Sequence, residues 1–441
     1  MPTLDHASPK PSRIGLASAT GLVVATMIGT GVFVSAGFMA HDLDAAAILI
    51  GWLLGGVFAL CGALCYSAVA MKIPRSGGEY RFLYEAYHPY LGCLAGWISL
   101  VIGFAAPIAM AAIAAGAYAE VLIGKGAAMP LAITVVVGFA AINALGIEAG
   151  SRLQDLGALL KVGLIVAFVV GALFGGVHFA QALPTANTFT SLHSVPFAIG
   201  LVYIGYAYEG WNATTYIADE VDNPVRTVPR SLVLGCLAVT LLYLLLNVVF
   251  LSVLSPSELM SVARDETHTL TLGHLVATRL FGAVGGTLVS WMVLLVLVSS
   301  ISAMTIQGPR VVGEMARDGF LPARFRWTAG ATGGLWAMGL QTALTLLFLT
   351  TNTFETLLDT CGVTLALFGA LSASAILRIK GLAKPGLVLA LVVYLAGVGW
   401  SVTQNVMSQP KVLIWAAVTI GAASISYFLT GKGCRCARFH R

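Results

Sequence analysis

The feature that most constrains this chain is an apolar run of about twenty residues that recurs from one end of it to the other. A run of that length matches a helix crossing a hydrocarbon core about 30 Å thick. Runs of this kind cover residues 14–40, 44–71, 90–122, 130–148, 153–176, 195–218, 230–254, 282–307, 335–351, 355–377, 386–404 and 412–430. Only helices and closed barrels cross lipid, because every backbone N–H and C=O there needs a partner inside the protein. Runs this long and this apolar read as helices, so the expectation is an all-α membrane bundle of about twelve spans. Composition points the same way. Apolar residues make up 58% of the 441-residue chain and charged residues 10%, where a soluble domain carries about 25%. The first run follows Lys10 and Arg13 and could pass for a secretory leader. It exceeds the apolar stretch of a leader, and similar runs follow it, so it reads as an uncleaved first span.

Two polar stretches interrupt the pattern. Residues 255–281 hold Pro256, Arg264, Asp265, Glu266 and His268 and read as the longest outer loop, while residues 76–88 form a short amphipathic piece between spans two and three. The basic residues set the orientation, since loops left in the cytoplasm are rich in Lys and Arg. Of the 24 lysines and arginines, nineteen fall on one side. Lys125, Arg264, Arg279 and Lys411 fall on the other, and Lys161 lies within a span. The expected placement is therefore a cell membrane with both termini cytoplasmic and an even number of spans. The net charge of +5 gives no argument for nucleic acid, and neither the seven cysteines nor the eight histidines have metal-ligand spacing. There is no phosphate-binding glycine loop and no clustered His, Asp or Glu, so no cofactor, ATP-driven pump or membrane enzyme is expected. A receptor or scaffold would need longer termini.

Chemistry is expected where the helices fail as apolar rods. Met27-Ile28-Gly29-Thr30-Gly31-Val32-Phe33 places two glycines around a threonine at the middle of the first span. Each glycine weakens a helix by about 1 kcal/mol against alanine. Close packing through small residues is one reading. An unwound segment, its N–H groups and helix end facing a substrate carboxylate, is the other. Gly205-Tyr206-Ala207-Tyr208-Glu209-Gly210-Trp211-Asn212 repeats the trait in the sixth span. If spans one to five and six to ten are inverted repeats, these breaks correspond, which is the best sequence pointer to a midplane site. Freed carbonyls of Met27, Tyr206 and Tyr208 would then be available to an ammonium group.

Lys161 sits about eight residues into the fifth span, roughly 12 Å deep, where snorkelling is hard. It reads as a fixed positive charge, as a titrating amine, or as the partner of a buried acid. Glu209 is the acidic residue placed deep in a span. It reads as a site for a cationic part of a substrate, as a proton carrier, or as a brace for the broken helix. Ser299, Ser300, Ser302 and Thr305 form a polar group in the eighth span. Hydroxyls there often bond back to the backbone, and Ser300 is kept as a candidate for the ion-binding region.

These motifs together resemble the amino acid–polyamine–organocation transporter superfamily, and within it the L-type amino acid transporter group. The likeness runs from about Ile14 to Arg326. It rests on Met27 to Phe33, on Arg152-Leu153-Gln154-Asp155 followed by Lys161, and on Tyr208 to Asn212 with Asn223-Pro224, Arg226 and Pro229. Gly308-Pro309-Arg310, Ala316 to Gly319 and Leu321-Pro322 resemble the end of the eighth helix and the loop beyond it. The last two spans match only as hydrophobic helices. The resemblance implies a LeuT-type fold with a 5+5 inverted repeat and broken helices one and six. It implies a substrate carboxylate at Thr30 and Gly31, and an ammonium at carbonyls near Met27 and Tyr206. Tyr206 would be an aromatic gate, Asn212 a link between site and helix movement, and Lys161 the occupant of a sodium-like site.

The implied activity is sodium-independent permeation of L-amino acids across the cytoplasmic membrane by alternating access, through exchange or proton coupling. Glu209 departs from the family, standing where neutral carriers often have glycine, and it motivates the alternative of a polyamine or cationic amino acid carrier. A channel is the rival of a different class; it would need no carboxylate site. The stretch Gly124 to Met129 lacks the cysteine that animal members use to bind a heavy chain, so a bacterial carrier working without that subunit is expected. The expected layout is a tail over 1–13, a transport core over 14–377, two further helices over 378–430 and a basic tail over 431–441.

Overall fold

The computed structural model describes residues 14–144, 150–175, 183–264, 266–326 and 334–430. Both terminal tails lie outside that range, with Lys10, Arg13, Cys434, Cys436 and the basic residues beyond them, and so do the side chains of Arg152, Gln154 and Asp155. Among the described residues all regular structure is helical, apart from one isolated bridge. In order the helices are α1 (Leu16–Met27), α2 (Gly31–Met39), α3 (Ala45–Lys72), α4 (Gly78–Ala86), α5 (Pro89–Ile98), α6 (Ala106–Ile123), α7 (Ala128–Ala144), α8 (Gly150–Phe174), α9 (Ala186–Ser191), α10 (Val195–Tyr208), α11 (Pro224–Val253), α12 (Pro256–Ala263), α13 (Glu266–Leu270), α14 (Leu272–Arg317), α15 (Leu335–Thr351), α16 (Phe354–Ala373), α17 (Pro385–Ser408) and α18 (Leu413–Leu429).

Within the described residues each of the twelve expected spans contains helix. Eight stretches are long and apolar enough to cross a membrane unaided, and α7, α15 and the Leu159–Phe174 part of α8 are shorter apolar helices. The first span is α1 and α2 with a gap between them. The third is α5 joined to α6 through a π-helical turn over Ser99–Ala105. The sixth is α10 followed by a 3₁₀ segment, Ala213–Glu220.

Polar caps fix where several helices begin. Asp44 accepts the Ala47 N–H at the start of α3, and Ser194 accepts that of Phe197 at the start of α10, where Pro196 needs no donor partner. Asn223 takes a left-handed conformation (φ 45°) and turns the chain into Pro224 of α11. Two boundaries differ from the sequence expectation. The stretch expected as a polar outer loop over 255–281 is folded into α12, α13 and the start of α14. It buries Leu259, Val262, Leu270, Leu272 and Val276, and Gly282 (φ 72°) then re-aims the chain into the eighth span. The eighth span also runs ten residues past its expected end, to Arg317, because Pro309 is tolerated inside the helix.

Packing separates two groups of helices. α1 packs on α11, α2 on α10 and α11, and α3 on α10 and α11, while α6, α7, α14 and α15 pack with one another, and α8 touches α1, α11 and α14. The start of α1 is pinned beyond the 3₁₀ segment, where the Ile14 N–H donates to the Glu220 carbonyl at 3.0 Å and the Asp222 N–H to the Ile14 carbonyl at 2.9 Å.

A candidate substrate site at two helix breaks

The two expected breaks exist and face each other. Helical geometry stops at Met27, Ile28 is extended (ψ 92°), and α2 begins at Gly31. In the sixth span it stops at Tyr208, Glu209 is extended (ψ 148°), and Gly210 is left-handed (φ 102°). Two glycines are required by this approach. A Cβ on Gly31 would lie 2.6 Å from the Ala207 Cα, and one on Gly210 would lie 3.0 Å from the Thr26 carbonyl carbon. Glycine thus serves close packing and unwinding together, the two readings that the sequence left as alternatives.

Between the breaks lies a cavity of about 820 Å³ of empty space, its open mouth included. Met27, Gly29, Thr30, Gly31, Tyr206, Glu209 and Asn212 line it. The N-terminal end of α2 offers it backbone N–H groups and the positive end of a helix dipole. Met27 is engaged from behind, because its carbonyl accepts the Tyr243 hydroxyl at 2.6 Å. Tyr208 is not brought to this cavity. Its hydroxyl donates to the Trp52 carbonyl at 3.1 Å, and it lines a neighbouring apolar cavity between α3, α10, α16 and α17. Glu209 lines both cavities.

Lys161 and Ser300 meet at a separate place behind the first break. The Lys161 amine donates to the Ser300 hydroxyl at 2.8 Å and the Ala25 carbonyl at 3.3 Å. The Ser300 hydroxyl in turn lies 3.0 Å from the Val296 carbonyl and 3.3 Å from that of Ile28. Lys161 is 2% exposed. Among the described residues no carboxylate lies within ion-pair distance of it. Thr305 only bonds back to the Ile301 carbonyl, at 2.7 Å.

Two functional candidates have no sequence counterpart above. Tyr243 in α11 places its hydroxyl between the carbonyls of Met27 and Ala207, at 2.6 and 3.0 Å, and so touches both breaks. Glu79 in α4 reaches the cavity wall and accepts hydrogen bonds from Tyr66, Asn212 and Tyr216 at 3.0, 2.6 and 2.5 Å. Burial pushes its carboxyl above the usual range, against the opposing pull of those three donors. The lining therefore contains two carboxylates, Glu79 and Glu209, and no lysine, arginine or histidine.

Comparison with known proteins gives a consistent result. Residues 14–423 match the amino acid permease family. The serine/threonine exchanger of Bacillus subtilis is 31% identical over 316 residues, covering 70% of this chain and 69% of that protein. The b(0,+)-type amino acid transporter 1 of Mus musculus is 31% identical over 260 residues, 56% of this chain and 53% of the mouse protein. The mouse Asc-type amino acid transporter 1 is 29% identical over 261 residues, 56% and 49% of the two chains. The match thus spans about half the length of these mammalian relatives.

Proposed function

We propose that this chain, which belongs to the amino acid permease family and is a multi-pass membrane transporter of amino acids, works as a sodium-independent exchanger. The substrate's carboxylate binds the N–H groups of Thr30 and Gly31. Its ammonium binds carbonyls at the two breaks, with Gly29 leaving room beside them. Tyr206 closes over the substrate and Asn212 links the site to helix movement. The one observation that carries the reading is the Lys161 amine, held by Ser300 and the Ala25 carbonyl behind the broken first helix. A fixed ammonium at that place supplies the charge that a bound sodium ion would supply elsewhere. The family's LeuT-type fold, with its broken helices one and six, gives the frame in which one helix group rocks against the other around the site. The likeness to a serine/threonine exchanger supports exchange and a small polar substrate. Transport without a heavy-chain subunit is part of the same reading, supported by the missing cysteine between Gly124 and Met129.

Purified protein in proteoliposomes tests this directly. Uptake of labelled L-serine should rise severalfold when unlabelled L-serine is inside, and replacing sodium by choline should leave it unchanged. Lys161→Ala should reduce exchange by about tenfold or more, the scale of losing a buried charged hydrogen bond. A sodium-dependent rate would remove the role given to Lys161.

A second reading is favoured by one observation, the cavity's two carboxylates without a cationic side chain. It takes a cationic amino acid or a polyamine, with Glu209 as counter-charge. If L-lysine or putrescine supports counterflow better than L-serine, and Glu209→Gln abolishes that preference, this reading replaces the first.

A further inference from the structure

Helix α4 has no place in the exchange cycle described so far, yet it grips both helix groups at once. Its Glu79 faces the first group. The carboxylate accepts the Tyr66 hydroxyl of α3 at 3.0 Å, the Asn212 amide at the sixth-span break at 2.6 Å and the Tyr216 hydroxyl of the 3₁₀ segment at 2.5 Å. Its Arg81 faces the second group. The guanidinium lies 3.2 Å from Asp318 and 3.8 Å from Glu314 at the end of α14, and the Tyr80 hydroxyl donates to the same Asp318 carboxylate. Positions two apart on a helix point about 200° apart, so one short helix presents opposite faces to the two groups. Its start is seated as tightly. Gly77 and Gly78 both have positive φ, and a Cβ on Gly78 would lie 2.6 Å from the Tyr216 ring.

The two grips differ in kind. At Arg81 a guanidinium meets two carboxylates of α14 and, at 4.0 Å, that of Glu85 in α4 itself, sits 5.4 Å from the Tyr80 ring and 5.6 Å from that of Tyr84, and is largely enclosed. At Glu79 one carboxylate gathers three neutral donors and no cation. Any rocking of the first group past α14 must undo one of them, and the grip without a counter-charge is the easier to exchange for water. We propose that α4 is a strut between the two helix groups and that Glu79 is its releasable end, a positioning residue that holds the inner part of the sixth span until the transporter changes state. This rests on the alternating-access reading above.

The test uses the full chain with its own cysteines replaced by serine or alanine and a single cysteine at Ala213, which is buried in the 3₁₀ segment. Labelling of Cys at 213 by a maleimide in detergent micelles should be about tenfold faster in Glu79→Gln than in the parent, with Glu79→Asp between the two. In proteoliposomes Glu79→Gln should lower the maximal exchange rate of L-serine several-fold while its half-saturating concentration stays within about twofold. Asp318→Asn loosens the other end of the strut and should raise labelling too. If Glu79→Gln proves unstable, Asp318→Asn alone decides. Parental labelling rates in both variants overturn the proposal, as does a raised half-saturating concentration at an unchanged maximal rate, which would make Glu79 a substrate ligand. Labelling needs no substrate, so a failure of the exchange reading shows as absent counterflow in the parent and leaves this readout intact.

Discussion

Tyr243 has one hydroxyl proton and two carbonyls within reach of it, Met27 at 2.6 Å and Ala207 at 3.0 Å. Those carbonyls end the helical parts of two different spans, so a single phenol holds the breaks in register. The ring is fully buried and packs against Trp52 and Tyr208 at centroid distances of 5.4 and 5.2 Å. Removing the hydroxyl leaves two buried acceptors short of a donor while the ring still fills its place. Tyr243→Phe is therefore expected to destabilise the protein by roughly 1–3 kcal/mol, read as a lower melting temperature in detergent, and to weaken substrate binding, read as a higher half-saturating concentration in counterflow. A variant as stable and as tight as the parent would show that the breaks are held by packing alone. Nothing in the sequence singles out this tyrosine. Its partners are 216 and 36 residues away, and a tyrosine within an apolar span reads as ordinary filling. Lys161 was legible because a charge inside an apolar run is costly wherever its partner lies.

Elements were legible to the extent that their cause is local. The breaks at Gly29–Gly31 and at Gly210 were readable because glycine at mid-span departs from the local pattern, and the structure adds that Gly31 and Gly210 each make room for the other break. For α4 the amphipathic pattern marked a separate short piece between two spans, but its depth was hidden, since Glu79 is drawn to the cavity by three donors from elsewhere in the chain. For 255–281 polarity suggested a loop, although Ser255-Pro256-Ser257-Glu258 is a helix start in local terms. The Ser255 N–H and hydroxyl both donate to the Glu258 carboxylate at 2.8 Å, and these bonds hold its carboxyl below the usual 4.5. A carboxyl depressed in the folded state contributes stability that is complete above its unfolded pKa and is lost as pH falls through the folded one. Amide-exchange protection of α12 should hold steady from neutral pH to about pH 5 and decline below it. Glu258→Gln should flatten that decline, and an unaltered pH profile in that variant would exclude the capping carboxylate as its source.

The helices divide into a group carrying both breaks and a group ending at the α14 tip; α14 touches α1, α2 and α11 directly, and α4 and Lys161 bond to both groups. A transporter built this way can be asymmetric across the membrane, because α4, the 3₁₀ segment and the end of α14 gather at one face. Three arginines are paired there: Arg75 with Glu85, Arg81 with Asp318, and Arg310 with Glu220 at 3.3 Å. The sequence assigns Lys125, Arg264, Arg279 and Lys411 to the opposite side. Retention of Lys and Arg in the cytoplasm orients a bundle by its short loops. The α4 face is thus expected to be cytoplasmic, and with it the mouth of the cavity beside Glu79. In intact cells a membrane-impermeant maleimide should label a cysteine at Gly126, an open turn with φ 89° between α6 and α7. It should spare one at Lys380, between α16 and α17, until the membrane is permeabilised. The reverse pattern would invert the orientation, and the cavity near Glu79 would then receive its substrate from outside the cell.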